Sequence, residues 1–338
     1  MRVLQTILLA LAAATTLPAA KNLEIYFIDV EGGQSTLFVA PSGESLLIDT
    51  GWPGNNSRDA NRIAAAAKHA GVKTINFLLI THFHMDHVGG VPQLCEKMPV
   101  RTFIDHGEDV EHDQQAKELY AAYAEYRAKG QHILAKPGMT IPVKGLEVQV
   151  LTADGDEIEN ALAGAGQPNP LCANAPLRAP DPTENARSVG TLITFDKFRI
   201  LDLGDLTWNK EHQLMCPNNK IGAVDLYVVS HHGSELSGSP ALVHAIHPRV
   251  AIMDNGARKG GSAEAWQTIH SSPGLEDIWQ LHYAIAGGKD NNTPDTFIAN
   301  LDEQGDKGNW IHVTVHPDGS FQVNNQRNKY TKDYPPKS

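Results

Sequence analysis

The chain has 338 residues, of which 41% are hydrophobic and 20% are charged, and its formal net charge at pH 7 is -11. This length and apolar content suffice for one large domain with a substantial core. Proteins that bind many phosphates normally present a basic face. The acidic balance, without a run of Lys and Arg, therefore disfavours a long nucleic acid as partner.

The first 20 residues have the pattern of a secretory signal peptide. The positive Arg2 precedes an apolar stretch, residues 7–14, and small residues surround Pro18. This stretch is too short to span a bilayer, and no later stretch is apolar for long enough. We expect export to the periplasm or outside the cell, which removes Arg2 and takes the net charge from -11 to -12. Residues 21–338 are expected to form a single domain whose oligomeric state the sequence does not specify.

Short apolar runs separated by turn residues predict strands at residues 24–30, 35–40 and 45–49. An alanine-rich helix over residues 58–70 follows, and then a strand that ends at residue 80. A helix from residue 88, a strand at 102–105, a helix over 111–129 and a strand at 146–152 complete the first half. We interpret the tyrosines of helix 111–129 as core packing rather than as a stacking surface.

Residues 154–184 interrupt this pattern, because Ala, Gly, Pro and Asn dominate and no periodicity is visible. A connection of this length inside a compact domain is a binding loop, a lid or a disordered segment. We predict an insertion that forms a loop on the substrate side, with disorder as the alternative.

Strands resume at residues 188–195, 198–203, 225–230 and 250–254. Alternating strands and helices indicate an α/β architecture. Polar residues follow several strands, and ligands of such folds gather at the carboxyl ends of strands. We therefore expect one site to which both halves of the chain contribute.

The stretch THFHMDHVGG, residues 81–90, directly follows a buried strand. Residues two apart at a strand end point the same way, so His82 and His84 can bind one metal ion. Asp86 and His87, beyond the turn, can bind a second. Imidazole and carboxylate ligands suit zinc or a similar first-row metal. A solvated polar loop is the alternative, but four ligand-type residues in six positions favour a metal site.

The three cysteines are Cys95, Cys172 and Cys216, and their spacing matches no thiolate metal site. An exported protein can form a disulfide. Cys172 and Cys216 are the favoured pair, because both lie in loop-like sequence whereas Cys95 lies in a predicted helix. Three free thiols are the alternative.

The stretch THFHMDHVGG resembles the signature of the metallo-β-lactamase superfamily of metal-dependent hydrolases. The resemblance extends over residues 23–254, through Asp49-Thr50-Gly51, Gly204-Asp205 and His231-His232-Gly233-Ser234. It implies a four-layer αβ/βα sandwich, with two mixed sheets face to face and helices outside. It also implies two metal ions per chain, zinc or alternatively manganese.

The resemblance implies roles for individual residues. The ligands of the first ion would be His82 and His84, and those of the second Asp86 and His87. Asp205 would bridge both ions, although it could instead be a helix N-cap before residues 206–208.

Two further assignments stay open. His231 would be the last ligand of the second ion, but the neighbouring His232 competes with it. Asp49 would orient the ligand loop, and a simple turn residue is the alternative.

One feature departs from the family pattern, which usually supplies a further histidine to the first ion from the middle of the chain. The histidines between the two ligand groups all lie too early, at His106, His112 and His132. Residues 184–188 occupy the expected place. Asn185, water or one of the doubled histidines would complete the first site. This departure, the HHGS element and the run at residues 29–35 resemble the competence-type branch and the bacterial phosphorylcholine esterases.

These features predict a hydrolase of a small phosphodiester or ester that acts by attack of a metal-bound hydroxide. Asp86 and Asp205 are the catalytic candidates, since either can direct or accept a proton, and Arg187 is the candidate phosphate clamp. A lactamase or lactonase is one alternative. A non-catalytic metal-binding or sensor module is another.

Overall fold

The computed structural model describes residues 22–303 and 307–337, so the predicted leader lies outside the described residues. The strands are β1 (Leu23–Phe27), β2 (Thr36–Val39), β3 (Ser45–Ile48), β4 (Ile75–Leu79), β5 (Val100–Asp105), β6 (Gln131–Leu134), β7 (Thr140–Ile141), β8 (Glu147–Ala153), β9 (Asp156–Glu157), β10 (Gly190–Phe195), β11 (Phe198–Asp202), β12 (Leu226–Val228), β13 (Val250–Met253), β14 (Asp277–His282), β15 (Ile298–Asn300), β16 (Ile311–Val315), β17 (Phe321–Asn325) and β18 (Thr331–Tyr334). The helices are α1 (Arg58–His69), α2 (Met85–Val88), α3 (Val91–Cys95), α4 (Gln114–Arg127), α5 (Trp208–Met215), α6 (Pro240–Ile246) and α7 (Ala263–His270).

These strands form two mixed sheets. The first has the order β18-β17-β16-β1-β2-β3-β4-β5-β6, and the second has the order β15-β14-β13-β12-β11-β10-β8-β7, with β9 paired to β8. Strands β3 to β6 run parallel in the first sheet, as do β11 to β15 in the second. The carboxyl ends of these parallel strands are where a ligand site is expected.

The two sheets pack face to face over a hydrophobic core to which both contribute, for example through Phe38 and Ile48 on one side and Ile193 and Ile252 on the other. Helices α1, α3 and α4 cover the outer face of the first sheet. Helices α5, α6 and α7 cover the outer face of the second. This four-layer αβ/βα arrangement confirms the predicted fold class.

The predicted helix over residues 111–129 is α4, which begins later than expected. The Asp113 carboxylate accepts hydrogen bonds from the backbone N–H groups of Gln115 and Ala116, so the helix begins at Gln114. Tyr123 is fully buried against the first sheet, which agrees with the interpretation of the tyrosines as core packing.

The chain beyond residue 254 contributes more to the fold than the sequence analysis predicted. Strand β16 pairs antiparallel with β1, in the register Leu23 to Val315, and β17 and β18 extend the same sheet. The signal was present as the alternation of Ile311, Val313 and Val315, whose side chains are buried. Within residues 22–303 and 307–337, no helix is long and apolar enough to cross a membrane.

A disulfide joins Cys172 to Cys216, the favoured pair, and Cys95 is free. The bond fastens the predicted insertion, residues 154–184, to the end of α5. This segment contains β9 and short 3-10 turns rather than one unstructured loop. Its role on the substrate side stays a prediction.

Glu211 of α5 is a buried carboxyl group that predicts a pH-dependent stability. It accepts hydrogen bonds from the backbone N–H groups of Gly238 (2.6 Å) and Ser239 (2.8 Å). Burial raises the pKa of Glu211 from 4.5 to about 7. Between these values the folded protein holds a proton that the unfolded chain has lost, so stability falls as pH rises through this window.

We expect the free energy of unfolding to fall by about 2–3 kcal/mol between about pH 5 and pH 8 relative to that of Glu211→Gln, which cannot titrate. The substitution also leaves one N–H without an acceptor, which costs about 1–3 kcal/mol at every pH. Urea unfolding of both proteins across this range measures the difference. Parallel stability curves would show that Glu211 does not titrate in this window.

Candidate metal centre

The predicted metal ligands, together with Asp49 and Asp254, lie at one edge of the sandwich, where parallel strands of both sheets end. Asp49 follows β3, and the loop that holds the first histidines follows β4. Asp205 follows β11, His231 and His232 follow β12, and Asp254 follows β13. One site therefore receives side chains from both halves of the chain.

His82 and His84 form the first group of ligand-type atoms. His82 Nε2 lies 3.0 Å from His84 Nδ1. His82 is fully buried, and the side chain of His84 is 28% exposed. Two ring nitrogens directed at one point from residues two apart agree with the spacing argument.

Asp86, His87, Asp205 and His232 form the second group, which is buried. His87 Nε2 lies 3.2 Å from His232 Nε2 and 3.3 Å from Asp86 Oδ2. His232 Nε2 lies 3.2 Å from Asp86 Oδ2 and 3.5 Å from Asp205 Oδ1. Ligand atoms about 2.0–2.1 Å from a tetrahedral cation are about 3.3–3.4 Å apart, so this group fits one.

Asp205 lies between the two groups. Its Oδ2 is 3.3 Å from His87 Nε2 and 3.9 Å from His82 Nε2. Its Oδ1 is buried without a hydrogen-bond partner among the described residues. The N-cap alternative is wrong, because Thr207 holds the N-cap position of α5.

The doubled histidines occupy different positions. His232 belongs to the second group, whereas His231 lies at its edge, with Nε2 3.3 Å from Asp205 Oδ2 and Nδ1 3.2 Å from Ser237 Oγ. The contacts favour His232 over His231 as ligand. Both have left-handed backbone conformations, with φ of 54° and 55°. Such strain in non-glycine residues concentrates at functional sites.

Each histidine that faces the centre meets an oxygen atom at its other ring nitrogen. His87 Nδ1 is 2.7 Å from Asp49 Oδ2, and His84 Nε2 is 3.0 Å from Glu111 Oε1. The remaining pairs are His82 Nδ1 with Thr81 Oγ1 at 3.1 Å and His232 Nδ1 with Asp254 Oδ1 at 3.5 Å. In the first three pairs the oxygen partner fixes the tautomer that leaves the inner nitrogen free to bind a metal. His232 Nδ1 makes no hydrogen bond with a described residue, and Asp254 is the oxygen that faces it.

Asp49 does more than close a turn. Besides its contact with His87, its carboxylate accepts hydrogen bonds from the backbone N–H and the hydroxyl of Thr81, at 2.8 and 2.6 Å. Its backbone is left-handed, with φ of 59°, and its side chain is fully buried. The residue thereby holds the start of the ligand loop in place.

The centre attracts positive charge. Burial alone would raise the pKa of Asp86 and of Asp205, but the surrounding imidazoles hold both well below their usual values. Burial would lower the pKa of His87, yet nearby carboxylates, first that of Asp205, raise it well above normal. Asp205 likewise raises the pKa of His232 to about 10 against the effect of burial. Burial lowers the pKa of His82 and of His231, so positive charge is favoured at His87 and His232, beside the carboxylates.

Residues 184–189 run beside the ligand loop, where the family pattern has its further histidine. Val189 N donates to Thr81 O at 2.8 Å, and the Glu184 carboxylate accepts from Phe83 N at 3.0 Å. Asn185 lies between these contacts, and its buried Oδ1 has no hydrogen-bond partner among the described residues. Its contacts place it on neither group of ligand-type atoms, and its amide oxygen is left without a partner in the part of the chain that the structure describes.

The histidines between residues 87 and 205 have other environments. His106 pairs with Glu184 at 2.8 Å, and His132 pairs with Asp105 at 3.0 Å. His112 is exposed.

Arg187 bonds the backbone oxygen of Asp154 at 2.8 Å and its carboxylate at 3.2 Å. These contacts hold the guanidinium at the end of β8, and they do not place it at the centre as a phosphate clamp. Among the described residues, a lysine contacts the centre instead: Lys259 Nζ contacts Asp86 Oδ2.

Lys259, Glu111 and Asp254 were missed by the sequence analysis. Asp254 is the last residue of a predicted strand, as Asp49 is, and this position was its available signal. Glu111 and Lys259 lie in loops without a motif, and only the folded structure brings them to the centre.

Residues 29–169 match the model of the metallo-beta-lactamase superfamily. The chain is 25% identical over 249 residues to ComE operon protein 3 of Bacillus subtilis. The aligned region covers 69% of this chain and 28% of that protein. It is 27% identical over 141 residues to hydroxyacylglutathione hydrolase of Xylella fastidiosa. That alignment covers 42% of this chain and 41% of that protein. The chain spans less than half the length of either relative.

Among solved structures, the chain is similar to Igni18, a metallo hydrolase from the archaeon Ignicoccus hospitalis, with a TM-score of 0.45 and 13% identity over 77% of this chain and 95% of that one. It is also similar to YhfI, a metallo-beta-lactamase fold protein from Bacillus subtilis, with a TM-score of 0.44 and 12% identity over 76% of this chain and 96% of that one. These identities carry no information about the substrate.

Proposed function

We propose that this chain is a member of the metallo-beta-lactamase superfamily, whose model matches residues 29–169, and that it is an exported, dinuclear metal-dependent hydrolase of a small phosphodiester. The observation that carries the proposal is the position of Asp205 between two groups of converging ligand atoms. Zinc fits the mixture of imidazole and carboxylate, and manganese is the alternative.

Six residues would hold the ions in this proposal: His82 and His84 for the first, Asp86, His87 and His232 for the second, and Asp205 for both. Asn185 would offer its amide oxygen to the first. When bound, the ions supply an activated water and stabilise the negative charge that develops on the substrate.

The chain's own groups would orient the metal-binding side chains and the protons involved in the reaction. The oxygen partners behind the imidazoles keep the ligands oriented, so little reorganisation is needed during the reaction. Asp86 and Asp205 are anionic at neutral pH and can accept or direct a proton. A cleft of about 380 Å³ opens beside Asp86 and His84, a size suited to a small molecule rather than a polymer.

Two features support phosphorus as the reacting centre. Lys259 contributes a cation where the cleft meets the candidate metal centre. The HHGS element and the missing mid-chain histidine resemble the competence-type branch. A carboxylic ester or thioester is the second candidate, favoured by the match to hydroxyacylglutathione hydrolase.

The test combines metal analysis with a substrate panel. Metal-replete protein should contain two ions per chain and hydrolyse an activated phosphodiester faster than a thioester, a chromogenic β-lactam, a lactone or single-stranded DNA, with zinc or with manganese. Turnover of the thioester or lactone with the phosphodiester untouched would overturn the substrate class. One ion per chain, or none, would overturn the dinuclear proposal.

Export is a separate part of the proposal and rests on the predicted leader. Mass spectrometry of the protein made in its own cell should show a chain that lacks about 20 N-terminal residues. A mature protein that keeps Met1 and Arg2 would refute it.

A further inference from the structure

The cleft beside the candidate metal centre has a charged end and an apolar wall. Asp86 and His84 lie at its base, and Lys259 lies where the cleft meets the centre. The rest of its lining is apolar at Trp52, Phe83, Met85, Ala116 and Leu119 and polar at Glu111, Asp113 and Gln115. Of these carboxylates, that of Glu111 contacts His84 and that of Asp113 caps α4. A substrate that fits both features carries an anionic group and a flat or apolar substituent.

Lys259 is held in this place by its backbone. Its loop, residues 256–262, closes with a hydrogen bond from Gly256 N to Lys259 O at 2.9 Å. Gly261 N donates to His232 O at 2.9 Å, which fastens the loop to the second ligand group. On the other side, a Cβ on Gly32 would lie 2.8 Å from Lys259 Cβ, so only glycine allows this approach.

The side chain of Lys259 remains adaptable although its loop is fixed. It is 34% exposed, and its ammonium group contacts the Asp86 carboxylate and lies 5.0 Å from the centre of the Trp52 ring. A cation bound by Asp86 repels this ammonium group. The long flexible stem then allows Nζ to turn into the cleft, where a substrate anion would attract it.

From this arrangement we propose that Lys259 and Trp52 form the recognition end of the site, binding an aryl-substituted phosphate ester. Lys259 contacts the phosphate oxygens, and Trp52 stacks on the aromatic substituent. The inference rests on the proposed function, which it deepens by naming the substrate class. Both residues act by binding, and neither exchanges a proton or forms a bond.

The first experiment separates charge recognition from hydrolysis. Phenylphosphonate, which the enzyme cannot hydrolyse, is titrated calorimetrically into metal-loaded wild type, Lys259→Gln and the control Lys144→Gln. Lys144 is an exposed cation paired with Glu44, remote from the cleft. We expect Lys259→Gln to weaken binding about 10- to 100-fold, the range for hydrogen bonds to charged groups, at unchanged metal content. Lys144→Gln should bind like wild type.

The second experiment uses two substrates with the same leaving group. Lys259→Gln should lower kcat/KM about 10- to 100-fold for bis(4-nitrophenyl) phosphate, but less than about threefold for the neutral 4-nitrophenyl acetate. Trp52→Ala should raise KM about 5- to 20-fold for the diaryl diester, and less for methyl 4-nitrophenyl phosphate, with Trp52→Phe close to wild type. Equal losses on charged and neutral substrates would overturn the assignment of Lys259.

The outcomes separate the two proposals. A wild type that hydrolyses no phosphodiester refutes the proposed function, and phenylphosphonate binding still tests recognition. If Lys259→Gln and Lys144→Gln bind phenylphosphonate equally, the recognition end is refuted, whatever the wild type hydrolyses. If Trp52→Ala affects both diesters equally, the aryl preference is refuted.

Discussion

Replacing His232 with alanine is expected to remove the second metal ion and to lower turnover about a thousandfold, whereas replacing its neighbour His231 should leave two ions per chain. His232 Nε2 lies 3.2 Å from both His87 Nε2 and Asp86 Oδ2, inside the second group. His231 reaches only the edge of that group, through one contact with Asp205. Loss of an ion removes several kcal/mol of charge stabilisation in the transition state, which corresponds to this fall in rate.

Elemental analysis and hydrolysis of the same ester by the two alanine variants measure the difference. The neighbouring positions provide a matched pair, because both residues have a left-handed backbone and occupy the same short turn. Circular dichroism and the unfolding midpoint show whether each variant folds. If His231→Ala loses an ion while His232→Ala keeps both, the assignment of the doubled histidines is reversed.

Local spacing made much of this centre predictable. His82, His84, Asp86 and His87 lie within six residues after one strand, so their proximity follows from chain connectivity. Asp205 was predictable because it lies just after a strand, where α/β folds collect ligands. The fold class followed from the alternation of strands and helices together with the family resemblance.

The positions of side chains that depend on backbone conformation could not be predicted from the sequence in the same way. His231 and His232 are adjacent in sequence, and the left-handed turn determines which of the two rings enters the second group. Arg187 was expected to contact phosphate, but the carbonyl of Asp154 holds it elsewhere. Such contacts depend on the position of the end of each side chain in the folded protein. Neither periodicity nor motif spacing specifies that position.

Long-range packing explains the remaining omissions. Lys259 lies 173 residues from Asp86 in sequence, and their contact depends on the docking of one loop against Gly32 and the His232 carbonyl. The last strands of the first sheet come from the end of the chain and pair with β1. No local pattern encodes such a pairing partner, although the alternation within β16 shows that a strand exists.

Asp254→Asn is expected to weaken binding of the second ion about 10- to 100-fold, the usual effect of losing a carboxylate behind a metal-binding histidine. Asp254 is buried, and its Oδ1 lies 3.5 Å from His232 Nδ1. Neither carboxylate oxygen has a hydrogen-bond partner among the described residues, and the same holds for His232 Nδ1. Asp49 has the corresponding position behind His87 at 2.7 Å. The 3.5 Å contact makes Asp254 the candidate positioning residue for His232, whose ring it would orient and make more basic.

A competition titration with a zinc chelator measures the affinity of each ion, and the absorption spectrum of cobalt-substituted protein reports the geometry of the second site. The matched control is Asp202→Asn, because Asp202 is also a buried carboxyl group near the centre but bonds Gln34 Nε2 at 2.7 Å instead of an imidazole. The control should keep wild-type affinity and spectrum, and Asp254→Glu should recover part of the affinity. Equal affinity for Asp254→Asn and wild type would mean that His232 is oriented by its backbone alone. Since φ of 55° already restricts the ring, the size of the loss measures how much the carboxylate adds to that restraint.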